Sequence, residues 1–271
     1  MIMKISDWLH QTMVTLQKAG VDSPRRDALV LLEDTLTKDR AWVLAHPEYE
    51  IKRTELEKVD KLINRRIERE PLAYIRGKAW FYGRFFQVNP DVLIPRPETE
   101  CFIELLKGVS PKTIVEIGTG SGALAITAKL EFLSSKVIAT DIDKKAQVLA
   151  RQNTKLHNVD IKFLCGSLLE PLQNLDLNTY MLITNLPYVP TNLITSPEIE
   201  HEPKLALFSG KDGLNHYRKF WHQVAELEFK PKYILTESLE NQHKAVQNLA
   251  QESGYRLLKT EVLVQLYTNM S

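Results

Sequence analysis

The sequence predicts an α/β fold in which a parallel sheet with helices on both faces follows a small bundle of helices. From about residue 112 onward, short apolar runs alternate with helical patterns, and that alternation calls for a parallel sheet. Before about residue 75 only the helical period of apolar residues is present. Between them an aromatic stretch with one glycine reads as a β-hairpin.

In the first segment, Ser6 is placed to cap a helix with Trp8, Leu9, Met13 and Leu16 on one face, and Gly20 ends it. Ser23-Pro24 opens a second helix, with proline where its missing N–H costs little. Leu29, Leu32 and Leu36 are its expected buried stripe. Thr54-Glu55-Leu56-Glu57 fits a capping box for a third helix carrying Leu56, Val59, Leu62 or Ile63, and Ile67. The hairpin is expected within 79–94, turning at Gly83, and Pro90 to Pro97 follows as an extended connector. Expected strands are Thr113–Ile117, Val137–Thr140, Ile161–Leu164, Met181–Thr184 and Tyr233–Thr236, with a further one at Glu261–Tyr267. The implied division is 1–75 helical, 76–100 hairpin and linker, and 101–271 α/β.

Composition removes several function classes. Of 271 residues, 44% are apolar and 25% charged, an ordinary globular balance. The net charge of +1 weighs against a protein that binds nucleic acid mainly through phosphates. Lys58, Lys61, Arg65, Arg66, Arg69, Arg76, Lys78 and Arg84 do form a basic region, but Glu55, Glu57, Asp60, Glu68 and Glu70 interleave with them, as on a solvated helix face. Cys101 and Cys165 form no CxxC pair, and the seven histidines have no metal-ligand spacing, so neither a disulfide framework nor a metal is expected. No apolar run suits a signal peptide or a membrane span, so a cytoplasmic protein is expected.

Three motifs carry the chemistry. Glu116-Ile117-Gly118-Thr119-Gly120-Ser121-Gly122 follows the first strand, and its glycines allow a tight strand-to-helix turn and close approach of backbone to a nucleotide-like ligand. Gly118, Gly120 and Ala123 also satisfy the degenerate dinucleotide fingerprint, so this stretch alone leaves NAD(P) and an oxidoreductase open. Asp141 ends the second strand, where a carboxylate accepts hydrogen bonds from ribose hydroxyls. Asn185-Leu186-Pro187-Tyr188 follows a later strand and resembles the (N/D)PPY motif of methyltransferases acting on nitrogen in a planar group. An amide nitrogen is a poor nucleophile. The Asn185 side-chain oxygen and the Leu186 carbonyl can each accept one N–H and hold the NH2 in place. Tyr188 can stack on the flat group, and Pro187 stiffens the turn.

Wider segments match as well. Glu70 to Gly77, Phe81-Tyr82-Gly83 and Val92 to Glu100 (VLIPRPETE) are similar to segments of the peptide-chain release factor glutamine methyltransferases. So are Glu202-Pro203, Ala206-Leu207-Phe208 and Gly210 to Leu214. The resemblance runs from about residue 5 to about 255. It implies a Rossmann-like class I domain that uses S-adenosylmethionine, a helical domain that docks the release factor, and methylation of the glutamine in the GGQ loop by a monomer. It also implies a cofactor site of Glu116, Gly118, Thr119, Gly120, Ser121, Gly122, Asp141, Ser167, Leu168 and Asn185, with Asn185, Leu186, Pro187 and Tyr188 on the glutamine. Leu186 stands where the family usually has proline, and Ser167 where it often has Asp. Asn-Leu-Pro-Tyr also occurs in rRNA adenine dimethyltransferases, so an adenine N6-methyltransferase acting on nucleic acid is the alternative expectation.

Overall fold

The computed structural model describes residues 3–173, 175, 177, 179–193 and 195–270. The chain divides into two compact units, 1–77 with 196–201, and 78–195 with 202–271.

The first unit is helical. Strand β1 (Met3–Lys4) leads into α1 (Ile5–Lys18), followed by α2 (Pro24–Leu36), α3 (Arg40–Ala45), β2 (Glu50–Ile51), α4 (Arg53–Ile67) and α5 (Leu72–Arg76). Ile5, Trp8, Thr12 and Leu16 face inward from α1, and Leu29, Leu31, Leu32, Val59 and Ile63 complete the core from α2 and α4. Ser6 is not the cap of α1. The helix starts at Ile5, and the N–H groups of Ile5 and Ser6 donate to the carbonyls of Tyr49 and Pro47, so no side-chain cap is needed. Likewise Thr54 lies inside α4, and Glu55 reaches back to the Lys52 N–H at 2.9 Å. The short helices α3 and α5 were not expected, being six and five residues long and too short to show a period.

The second unit begins with a hairpin, β3 (Lys78–Phe81) and β4 (Arg84–Gln87). Tyr82 and Gly83 turn it with φ of 48° and 72°, the left-handed pair that a two-residue turn requires. There follow α6 (Cys101–Lys107), β5 (Thr113–Ile117), α7 (Ala123–Glu131), β6 (Lys136–Asp141), α8 (Lys144–Leu156), β7 (Lys162–Cys165), β8 (Met181–Thr184), α9 (Asn215–Glu226), β9 (Tyr233–Glu237), α10 (His243–Glu252), β10 (Tyr255–Glu261) and β11 (Val264–Asn269). The seven-stranded sheet has the order β10-β11-β9-β8-β5-β6-β7. Strands β7, β6, β5, β8 and β9 are parallel, and β11 and β10 add antiparallel at one edge.

Successive strand residues feed opposite cores. Ile114, Val137, Ala139, Met181, Ile183 and Leu235 pack with α6 and α7. Val115, Ile117, Ile138, Leu182 and Ile234 pack with Tyr217, Phe220, Trp221 and Val224 of α9. Burial on both faces is why these strands read as continuous apolar runs. The expected strand at Glu261–Tyr267 is borne out from Val264 onward as part of β11, but its start takes in the end of β10 and the turn of a hairpin. Val262, with φ of 52°, begins the turn that separates β10 from β11.

Candidate active site

The glycine turn, Asp141, Ser167, Leu168 and Asn185 all sit at the carboxyl ends of parallel strands, where open α/β sheets place their ligands. A cleft of about 290 Å³ is lined by Gly118, Gly120, Asp141, Ser167, Leu168 and Asn185, together with Leu186 and Pro187. A smaller one of about 60 Å³ beside it is lined by Glu116, Thr119, Ser121 and Thr99, and shares Gly118, Gly120 and Asn185. The fold thus brings nearly every expected site residue together.

The glycine turn is held from below. The N–H groups of Gly118 and Thr119 both donate to the Thr140 carbonyl at 2.9 Å. Gly120, at φ 54°, has open space where a Cβ would stand. Its N–H donates to Asp141 Oδ2 at 2.8 Å, while Oδ1 accepts from the Asp143 N–H at 2.9 Å. Burial raises the Asp141 pKa, and these two N–H groups oppose that shift. Each carboxylate oxygen keeps lone pairs for further donors, so this pair of acceptors fits the two hydroxyls of a vicinal diol. Gly122 lines neither cleft. A Cβ there would sit 3.1 Å from that of Ala150, so this glycine serves the close packing of α7 on α8.

Glu116 is fully buried, and its carboxyl is pushed up to about 8. Burial is the main cause, a hydrogen bond from Thr119 opposes it, and the nearby Asp141 charge adds to it.

Asn185 lies at the end of β8, whose last residue, Thr184, donates to the Ile117 carbonyl at 2.9 Å. Behind Asn185 are two residues to which the sequence reading gave no role. Asn185 Nδ2 donates to Thr99 Oγ1 at 3.1 Å and to Glu237 Oε1 at 3.0 Å. Thr99 Oγ1 in turn donates to Glu237 Oε2 at 2.7 Å, and the Tyr188 hydroxyl donates to Oε1 at 2.9 Å. Glu237 has no solvent exposure, and burial raises its pKa against these hydrogen bonds. Burial and the Glu237 charge also raise the Tyr188 pKa, which keeps the phenol protonated. Glu237 ends β9, one residue past the expected strand, so the rule that chemistry gathers at strand carboxyl ends is the signal that could have found it. Thr99 lies in the Pro97 to Glu100 turn, inside a segment singled out for resemblance alone.

The loop after the motif is anchored in turn. Gln242 Nε2 donates to the Tyr188 and Asp212 carbonyls, both at 2.8 Å. The Tyr217 hydroxyl donates to the Glu237 carbonyl. Gly213, at φ 79°, passes so close to the Tyr188 carbonyl that a Cβ would overlap it. Glu202 is buried and accepts from the Ile94 N–H at 3.1 Å and from Arg96 at 2.5 Å. Ile142, His216 and Lys219 line the larger cleft and were also missed, because their positions carry no motif. Among the described residues there is no cluster of side chains that could hold a metal ion and no helix long and apolar enough to cross a membrane.

Residues 7–77 match the PrmC N-terminal domain, and residues 97–259 match the methyltransferase small domain. Among solved structures, the hMettl16 catalytic domain in complex with a MAT2A 3'UTR hairpin aligns with TM-score 0.57 at 13% identity, over 82% of each chain. A methyltransferase from Pyrococcus furiosus aligns with TM-score 0.51 at 17% identity, over 70% of this chain and 91% of that one. These likenesses concern the fold. With the matching domain and the strand order they define a methyltransferase of the class I fold.

Whole-chain relatives narrow the class. The release factor glutamine methyltransferase of Coxiella burnetii is 33% identical, over 92% of this chain and 89% of its own length. That of Deinococcus radiodurans is 37% identical, over 82% and 81%, and that of Staphylococcus aureus 36%, over 91% and 88%. The chain belongs to the release factor glutamine methyltransferase family.

Proposed function

We propose that the protein transfers a methyl group from S-adenosylmethionine to the N5 amide nitrogen of the glutamine in the GGQ loop of peptide-chain release factors. The observation that carries this reading is the orientation of Asn185. Its NH2 is engaged by Thr99 and Glu237, so Oδ1 is the end left to accept an N–H from an incoming amide. The names of the whole-chain relatives support the same substrate.

In this reading the Leu186 carbonyl takes the second N–H, and Pro187 and Tyr188 shape the slot around the planar group. An acceptor that is a backbone carbonyl tolerates leucine in place of proline. The donor when bound supplies an electrophilic methyl on a sulfonium sulfur. Asp141 holds its ribose, and Ser167 and Leu168 flank its base. Glu116, Gly118, Thr119, Gly120, Ser121 and Gly122 form or support the turn around its amino-acid part. The protein's own contribution is alignment in a site that excludes water. The helical unit docks the release factor, and the second unit, with the hairpin and the 88–100 stretch packed into it, carries the transfer, in a monomer working in the cytoplasm.

Much of the basic region is already paired with carboxylates. Arg65 pairs with Glu70, Arg66 with Asp27, Arg69 with Glu198, Arg76 with Asp34 and Arg84 with Glu131, which favours a protein substrate over phosphate binding. The test is transfer of labelled methyl from S-adenosylmethionine to a purified release factor, to the same factor with its GGQ glutamine replaced, and to rRNA. Label on the intact factor alone is expected. Label on rRNA alone would establish the adenine methyltransferase instead.

A further inference from the structure

Glu237 is a costly residue to place where it is. A carboxylate without solvent exposure gives up its hydration, and an apolar residue would pack a strand end at less cost. Three neutral donors surround it, namely Thr99 Oγ1, Asn185 Nδ2 and the Tyr188 hydroxyl. What an ionised carboxylate offers that no apolar or amide side chain does is acceptance without donation. An asparagine set against an acceptor-only group has one favourable orientation, with NH2 toward the carboxylate. Thr99 reinforces this, because its hydroxyl proton is committed to Glu237 Oε2 and its oxygen can only accept from Asn185.

We propose that Thr99 and Glu237 are positioning residues that lock the Asn185 amide in one orientation, so that the site reads an uncharged NH2 group and rejects a carboxylate. The inference rests on Asn185 being the substrate acceptor. A glutamine side chain meets Oδ1 with an N–H. A glutamate in its place meets Oδ1 with a lone pair and, behind it, a buried negative charge. If Asn185 were free to flip, its NH2 would welcome that glutamate.

An exchange of donor and acceptor between the two residues tests this. Asn185→Asp sets a second carboxyl against Glu237, and the two can be accommodated only by sharing a proton. The other groups facing Glu237 are the hydroxyls of Thr99 and Tyr188, with the Tyr217 hydroxyl on its carbonyl. Glu98 and Cys101 act at longer range, and Arg96 acts on Tyr188. None of these supplies a mobile proton that replaces the shared one. The single variant is expected to lose at least about 100-fold in kcat at neutral pH, and to recover as pH falls while the wild type does not. Adding Glu237→Gln gives the introduced aspartate a permanent N–H donor. The double variant is expected to regain about tenfold or more over Asn185→Asp, with its pH dependence removed. An Asn185→Asp enzyme as active as the wild type, or a double variant no better than that single one, overturns the proposal.

A second measurement covers variants that fail to fold. In the wild-type protein without substrate, the Asn185 side-chain NH2 is expected to exchange slowly with solvent by 15N NMR, and to exchange faster in Thr99→Val. Fast exchange in the wild type overturns the lock. If the wild type does not methylate a release factor, the proposed function fails, while the exchange measurement still decides the orientation.

Discussion

Glu116 works against the stability of its own fold. Its carboxyl sits near 8 in the folded protein against an ordinary value of 4.5, chiefly through burial. Below the ordinary value it is neutral in both folded and unfolded chains and has no effect. Between the two values the unfolded chain ionises while the folded one keeps its proton, so stability falls as pH rises, by at most about 1.4 kcal/mol per pH unit. Glu116→Gln is therefore expected to match the wild type near pH 4 and to exceed it by a few kcal/mol near pH 7.5, read by urea unfolding. A constant difference across that range would contradict the shift. Gly213 bears on the site in another way. Gly213→Ala forces a Cβ into the Tyr188 carbonyl at a left-handed φ, and is expected to lower kcat at least about tenfold with a loss of about 2 kcal/mol in stability. Asn185, Asp141 and the glycine turn were legible because each belongs to a spaced motif. Thr99 and Glu237 were not, since a partner behind a site side chain is fixed by three-dimensional proximity between distant parts of the chain rather than by spacing.

Among the elements, the parallel strands were readable almost to the residue, because burial on both faces writes an unbroken apolar run. The antiparallel edge was not. Strand β10 has a mostly exposed pattern, Tyr255 apart, and only β11 carries an apolar run, so two strands read as one. The helix starts in the first unit were shifted for a related reason. Backbone carbonyls of a neighbouring loop took the place of the expected serine cap, and a local pattern does not reveal a distant acceptor. Where strand meets turn, Asp141 joins β6 to the glycine loop through Gly120. Asp141→Ala is expected to weaken S-adenosylmethionine about 10- to 100-fold by calorimetry, through loss of charge-assisted hydrogen bonds. An unchanged affinity would remove the ribose assignment.

For the molecule as a whole, the segments marked by resemblance turn out to be fastenings. Glu202 ties the Ile94 to Arg96 stretch, and Gly213 with Gln242 seats the motif loop. In the helical unit Glu198 does similar work. Burial opposes its ionisation, yet hydrogen bonds from Arg69 and Arg66 outweigh it and hold the carboxyl down to about 2. A depressed carboxylate stabilises above its ordinary value and loses that contribution as pH falls from about 4.5 toward 2. Glu198→Ala is thus expected to destabilise the helical unit at pH 7 and to match the wild type near pH 2. Fluorine NMR of labelled Trp8 and Trp42, which lie in that unit, would read the difference.

That same carboxylate comes from residues 196–201, far downstream of the helices it joins. On a translating ribosome residues 1–77 therefore emerge without Glu198, the carboxylate that Arg66 and Arg69 share, although Arg66 keeps Asp27. At roughly 5–20 residues per second, the bundle waits several seconds before its last counter-charge is synthesised. The amino-terminal segment is accordingly a poor cassette for transplantation. Grafted alone onto another protein, it would carry two guanidinium groups short of their shared acceptor, and it would need the downstream hexapeptide supplied alongside.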